Sequence, residues 1–309
     1  MILLTGSNGF VGKNLINAIP DHEKLTLIDK NSTNPIDLSY IDLNVKSQNF
    51  ELIIHLAAAK GDFNLSKEDF YRDNVLATKG LIKIAENSNC NRIIHYSTVS
   101  VYGHYNNSKN ENAELNPNST YGATKLESEK LLIEWANKSP ERSLVILRPS
   151  VIYGINNYAN MYNLMTMLKK RFSVMIGNGN QIKSMVSVNN IVDITMWCLD
   201  QNFKNKVEIF NCTEPPHFKL NELINIISSQ KGYYKPKVYI PIWIAKICAF
   251  PVDILSRLIK IDLKITVDRI NKVTTATDYR SLKLEEYGYQ WKYDSKDEII
   301  KMANWINTL

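Results

Sequence analysis

Tyr121 and Lys125, four residues apart in Tyr121-Gly-Ala-Thr-Lys125, are the side chains whose types and spacing first suggest chemistry. On a helix, that spacing puts both on one face, one turn apart. A tyrosine loses its proton near pH 10, at about three units above neutrality. An ammonium beside it stabilises the phenolate and brings the group toward a useful acid/base range. Upstream, Thr98 follows Ser97 at the end of an apolar run, where its hydroxyl can donate to or accept from a reacting oxygen.

A second constellation suggests nucleotide binding. Thr5-Gly6-Ser7-Asn8-Gly9-Phe10-Val11-Gly12 follows a short apolar run and opens an amphipathic segment. Gly6 permits a tight turn, Gly9 lets the backbone approach a pyrophosphate, and Gly12 lets the helix lie close on its strand, with Phe10 and Val11 in the same loop. The free amides at such a helix N-terminus attract an anion. Asp29 lies about twenty residues further on, where a carboxylate accepts both ribose hydroxyls of an adenosine. A 2'-phosphate there would meet repulsion of a few kcal/mol, with only Lys30 adjacent to relieve it, so the expected cofactor is NAD(H) over NADP(H).

Elements that would position these groups can be read from the apolar pattern. Ile2–Leu4, Leu25–Ile28, Leu52–Leu56, Arg92–Tyr96 and Leu144–Leu147 read as strands of a parallel sheet covered on both faces. Helices are expected at 10–19, 67–88 and 119–137, which gives the alternating rhythm of a doubly wound α/β fold. After Pro149 the rhythm loosens around a helix at 159–171 and the turn Gly177-Asn-Gly-Asn180. A helix at 189–201 and a strand at 207–211 return to the sheet, and the remainder is mostly helical. The expected organisation is a dinucleotide-binding domain over 1–153, joined by 186–211, and a smaller substrate domain from 154–185 and 212–309.

Composition narrows the class. The 309 residues are 44% hydrophobic and 22% charged, ordinary for a folded globular chain. The net charge of +6 is dispersed, which suggests steering of small anions rather than nucleic-acid binding. Four cysteines, Cys90, Cys198, Cys212 and Cys248, are widely separated, so reduced thiols and no metal site are expected. The stretch Val238–Ile259 is apolar but interrupted by Pro241, Lys246, Pro251, Asp253 and Arg257, and is expected to be a helix pair covering a second core rather than a membrane span. With no leader-like N-terminus, the expected location is the cytoplasm.

Taken together, the ordered motifs resemble the extended short-chain dehydrogenase/reductases of the NAD-dependent sugar epimerase/dehydratase family. The resemblance rests on 5–12, Asp29, His55-Leu-Ala-Ala58, Asn74 with Thr78, Ser97-Thr98 through Val101-Tyr102-Gly103, Tyr121 with Lys125, and Leu147-Arg-Pro149 before Tyr153-Gly154. It implies a Rossmann-type sheet. It also implies that Asp37 and Leu38, ahead of Asp42, lie by the adenine. Leu56, Ala57 and Ala58 would line the phosphates and ribose, with Asn74 behind them and Ser97 beside the cofactor. By the same resemblance Thr98 is the catalytic hydroxyl and contacts the sugar, Tyr121 is the acid/base, and Lys125 holds the nicotinamide ribose and lowers the tyrosine pKa. Lys183 and Arg269 would contact the diphosphate of a nucleotide-linked sugar. A homodimer through 67–88 and 119–137 is implied as well.

Departures from the family pattern discriminate among reactions. Dehydratases of this family follow the threonine with an Asp-Glu pair; here Val99-Ser100 follow, and neither can do that work. The same gap weakens a decarboxylase reading, while the intact Thr98, Tyr121 and Lys125 argue against an NAD sensor without turnover. The expected reaction is therefore C4 reduction of a UDP- or dTDP-linked 4-keto-6-deoxyhexose, of the kind used in deoxysugar and surface-polysaccharide synthesis. The alternative is a nucleotide-sugar 4-epimerase.

Overall fold

The computed structural model describes residues 1–20, 24–31, 36–40, 49–60, 65–103, 107–259 and 266–309. Asp42 lies outside them. Six strands form one parallel sheet: β1 (Ile2–Thr5), β2 (Leu25–Ile28), β3 (Leu52–His55), β4 (Arg92–Tyr96), β5 (Ser143–Pro149) and the returning Val207–Cys212, which is β9 in chain order. Their spatial order is β2-β1-β3-β4-β5-β9. The chain steps one way from β1 to β2 and the other way from β3 onward, so the switch point lies between the carboxyl ends of β1 and β3. Open parallel sheets bind ligands in that crevice.

Strand side chains alternate between two apolar layers, as the pleat requires. Leu4, Ile54, Ile94 and Val145 join α1 (Phe10–Ala18) on one face; Leu3, Ile53, Ile93 and Ile146 face the other. That second layer is closed by α3 (Ala77–Asn87) and α4 (Thr120–Asn137), through Leu81, Ile84, Leu132 and Trp135. Each fully buried aliphatic side chain contributes about 1.5–3 kcal/mol relative to exposure. The continuous apolar strands are therefore the main fastening of the site's scaffold.

One expected helix is interrupted. Residues 67–88 form α2 (Lys67–Phe70), a widened π turn over Tyr71–Leu76, and then α3. The π turn contains the buried Asp73 and Asn74, and such turns recur at functional sites.

Outside the sheet, β6 (Val151–Tyr153) pairs with β8 (Met185–Ser187), and β7 (Val174–Ile176) with β10 (Val238–Ile240). The helix α6 (Val188–Asp200) returns the chain to the first apolar layer. The helices α5 (Asn160–Leu168), α7 (Leu220–Ser228) and α11 (Ser295–Asn307) enclose a separate core around Tyr153, Met165, Leu223 and Ile299, while α10 (Leu282–Glu286) packs on β9. The helix pair expected at 238–259 is instead strand β10 followed by the single helix α8 (Ile242–Ile259). It packs on α9 (Val267–Thr274), with Ala245 and Ala249 buried against Ile270. The apolar sequence made the segment look like a core element, but Trp243, Ile247 and Phe250 are exposed.

Candidate active site

At the switch point the glycine loop is fitted to its neighbours. Gly6 has φ +72°, and a Cβ there would lie 2.7 Å from the Ala57 nitrogen. At Gly12 a Cβ would lie 2.3 Å from the Gly6 carbonyl oxygen. The loops after β1 and β3 thus approach each other through glycine backbone, and Gly9 caps α1 without a side-chain bond, as an anion cradle requires.

Thr5 ties the two loops together. Its hydroxyl accepts from the Ala57 amide at 3.2 Å and donates to His55 Nδ1 at 2.8 Å. Burial, reinforced by the Lys125 charge, pulls His55 down to about 3, so the imidazole is neutral and able to accept. Leu56, Ala57 and Ala58 are half-buried at the crevice, while Phe10 and Val11 lean against the first apolar layer.

Asp29 is buried, and its two carboxylate oxygens accept from the Asn8 and Asn31 amides at 2.9 and 2.8 Å. Lys30 is engaged by Asp73, which also accepts from Arg72 at 2.9 Å. Lys30, the cation next to Asp29 in sequence, therefore already has a carboxylate partner, which reinforces the preference for a ribose without a 2'-phosphate. Asp37 Oδ1 accepts from the Ser39 amide and hydroxyl at 2.9 and 2.7 Å, and Leu38 is buried in the second apolar layer. Leu38 thus spends its side chain on core packing.

Asn74 joins the cofactor crevice to the catalytic helix. Its Oδ1 accepts from the Ala59 amide at 2.8 Å, and its Nδ2 donates to Thr124 Oγ1 at 2.9 Å. Thr124 is the neighbour of Lys125 on α4.

Thr98 ends β4 and caps a short turn over Val99–Tyr102, accepting from the Ser100 amide at 3.1 Å. Ser119 caps α4, whose first turn carries Tyr121. Gly122 makes their meeting possible, because a Cβ there would lie 2.5 Å from the Ser100 carbonyl oxygen. The start of α4, with Tyr121 in its first turn, consequently rests directly on the turn after Thr98.

The expected direction for Tyr121 is reversed in the structure. Burial pushes the phenol up to about 12, and the opposing pull comes from the Thr98 hydroxyl. Lys125, 2% exposed, is itself drawn down to about 7 by burial, with the Glu129 carboxylate pulling it back up. Desolvation outweighs the helix spacing for both groups. At neutral pH the Tyr121 phenol therefore carries its proton.

Glu129 and Arg148 carry the buried charge behind Lys125. Arg148 donates from Nε and Nη2 to the two Glu129 oxygens at 3.0 and 2.6 Å, and Ser97 donates its hydroxyl to the same carboxylate. Arg148 Nη1 also donates to the Tyr102 hydroxyl at 2.8 Å, which donates in turn to Asn211 at 2.8 Å. Ser97 thus serves the network behind the lysine. Sequence reading did not single out Glu129 or Gly122; the available signals were a glutamate one turn beyond Lys125 and a glycine inside a helix start.

The two expected diphosphate contacts lie apart from this cluster in sequence and structure. Lys183 donates its ammonium to the carbonyls of Lys272 and Thr275 at 3.0 and 2.7 Å, closing the C-terminal end of α9, and burial draws it down to about 8. Arg269 sits in the first turn of α9, its amide donating to the Thr266 hydroxyl. Both converge on one short helix, Lys183 with its side chain already used on backbone carbonyls.

Residues 2–213 match the model of the NAD dependent epimerase/dehydratase family. The N-acetyl-alpha-D-glucosaminyl-diphospho-ditrans,octacis-undecaprenol 4-epimerase of Escherichia coli O157:H7 is 30% identical over 303 residues, covering 94% of this chain and 91% of that protein. The UDP-glucose 4-epimerase of Vibrio cholerae is 28% identical over 266 residues, 80% of each chain. In fold, the UDP-glucuronic acid 4-epimerase of Bacillus cereus, solved in complex with NAD, superposes with a TM-score of 0.75 at 19% identity, covering 99% of this chain and 98% of the other. These similarities meet the glycine crevice, Asp29 and the Tyr121–Lys125 helix in one conclusion: the chain is an NAD-dependent enzyme of the epimerase/dehydratase family, an extended short-chain dehydrogenase/reductase.

Proposed function

We propose that the protein inverts C4 of a hexose joined to a diphosphate, as a 4-epimerase. The observation that carries this reading is the seating of the Tyr121 helix start on the turn after Thr98, with Lys125 buried one turn on and Val99 and Ser100 where a dehydratase would need two acids. The relatives with 4-epimerase names favour it over the reductase that the sequence alone ranked first.

In this reading Gly6, Gly9, Gly12, Phe10 and Val11 cradle the cofactor's diphosphate, Asp29 takes the adenosine ribose, and Asp37 with the Leu38 backbone borders the adenine. Lys125 and Ser97 lie toward the nicotinamide ribose. Bound NAD supplies a reversible hydride acceptor and, when oxidised, a positive charge near the tyrosine. Tyr121 takes the proton of the C4 hydroxyl and gives it back, while Thr98 holds that oxygen through its own hydroxyl. Residues 1–153 with 186–211 would hold the cofactor, and 154–185 with 212–309 the sugar, Arg269 facing its diphosphate and Lys183 holding the C-terminal end of α9. A homodimer through α2–α3 and α4, and a cytoplasmic location suited to four free thiols, complete the reading.

The carrier is assigned as a nucleotide. A second reading, a polyprenyl diphosphate, is favoured by the E. coli relative, whose substrate by name is an undecaprenol. Incubating the purified protein with UDP-glucose or UDP-N-acetylglucosamine and following the sugar C4 proton by NMR tests the first. Interconversion without net NADH consumption is expected. Loss of NADH in step with a nucleotide-linked 4-keto sugar, and no interconversion, would establish the reductase instead.

A further inference from the structure

Helix α8 carries its side chains in an inverted arrangement. Trp243, Ile247 and Phe250 are 65, 64 and 60% exposed, whereas Ala245 and Ala249 are buried against Ile270. At about 100° per residue the three large side chains fall within a stripe of roughly 60°, with the two alanines on the opposite side. A helix serving only a core of its own would bury the large residues and expose the small ones. Among the described residues, no helix is long and apolar enough to cross a membrane.

Ahead of α8 the chain runs through the paired strands β7 and β10, whose Ile176 and Ile240 pack against Ala245 and Ala249. Phe172, just before β7, is 68% exposed, and Tyr239, within β10, is 58% exposed. Residues 169–181 and 229–252, which contain these strands and the first part of α8, hold Lys169, Lys170, Arg171, Lys231, Lys235, Lys237 and Lys246 and no Asp or Glu. These two segments thus carry seven cations and no carboxylate, close in sequence to the exposed Phe172, Tyr239 and Trp243.

From these observations we infer that the α8 face is a docking surface for an anionic lipid bilayer, its Trp243–Ile247–Phe250 stripe entering the interface and the cations meeting lipid phosphates. Aromatic residues with a polar edge, flanked by lysines, are the side chains that the boundary between headgroups and acyl chains accommodates. Each basic residue near such a surface adds about 1 kcal/mol of attraction. A second copy of the chain fits poorly, because a two-fold contact through this patch would bring one set of cations against an identical set. The inference is independent of the sugar carrier, although a lipid-linked substrate would give the docking an immediate use.

The test is co-flotation of the whole chain with phosphatidylcholine vesicles, with and without phosphatidylglycerol. Binding is expected to the anionic vesicles, to weaken with added salt, and to fall by about tenfold or more in Trp243→Ser/Ile247→Ser/Phe250→Ser. In the parent, brominated lipid should quench the fluorescence contributed by Trp243. The variant's NAD affinity and its turnover of a water-soluble UDP-sugar without vesicles report that it is folded, and they separate this surface from the proposed reaction. Failure of the parent to float, or a triple variant that floats equally well, would overturn the inference. Self-association of the parent that the three substitutions abolish, without flotation, would assign the face to a second copy and overturn it also.

Discussion

Glu129 and Arg148 meet in a two-point ion pair with both side chains almost wholly buried, 1% and 2% exposed. It stands one helical turn beyond Lys125, which makes the pair the electrostatic backing of the catalytic helix. Glu129→Gln leaves Arg148 buried without its counter-charge, and the expected loss is about 3–5 kcal/mol of stability. The double variant Glu129→Gln/Arg148→Met should lose less than the sum of its parts, as measured by urea unfolding. Because Glu129 also holds the Lys125 pKa up, the single variant should bring the alkaline fall of NAD affinity to lower pH.

Removing the phenolic hydroxyl separates binding from turnover. Tyr121→Phe should retain NAD, held by the glycine loop and Asp29, while turnover falls by about 10²- to 10⁴-fold. Cofactor fluorescence and a rate assay on the same preparation check both halves, and near-parental turnover would remove Tyr121 from its role.

Gly122→Ala tests the seat of α4 on the Ser100 carbonyl. The added methyl must move the helix start by a fraction of an ångström to one ångström, and displacements of that order reduce rates by up to about 100-fold. Thermal unfolding should change far less than kcat.

Stability should fall on mild acidification. The unfolded histidines bind protons from about pH 6.5 downward. Burial holds His55 at about 3 and His95 well below its ordinary value. The unfolded state thus binds more protons between about pH 6.5 and 3, so stability rises with pH across that window and is complete above it. Between pH 6.5 and 5, above most carboxylate titrations, the slope approaches about 1.4 kcal/mol per pH unit for each histidine. Denaturant midpoints across this range should flatten in His55→Gln.

Cofactor choice should turn on one carboxylate. Asp29→Ser removes the repulsion felt by a 2'-phosphate while keeping a hydroxyl for the backbone amides, and should raise NADP affinity relative to NAD by about tenfold or more. Titration with both cofactors measures the ratio.

The sheet was legible because parallel strands buried on both faces read as apolar runs, and β1 to β5 fall where Ile2, Leu25, Leu52, Arg92 and Leu144 announce them. Gly6, Gly9, Gly12 and Asp29 were legible because backbone geometry restricts residue type. The Glu129–Arg148 pair was not, since it joins α4 to β5 across nineteen positions with no periodic signal. The π turn was hidden because it keeps helical side-chain spacing nearly intact, and the outward stripe of α8 because hydrophobicity alone does not say which face meets the core. The Tyr121 direction was misread because spacing reveals a neighbour but not how much water both groups have lost.

The bridge made by Asn74 gives the site a mechanical property. One amide grips the loop after β3 and the helix that carries Tyr121, so a displacement at either end is transmitted to the other through two short bonds. The scaffold behaves as a single lever rather than as two adjustable parts. Transplanting the tyrosine helix into another protein would therefore need the Ala59 loop and the π turn moved with it.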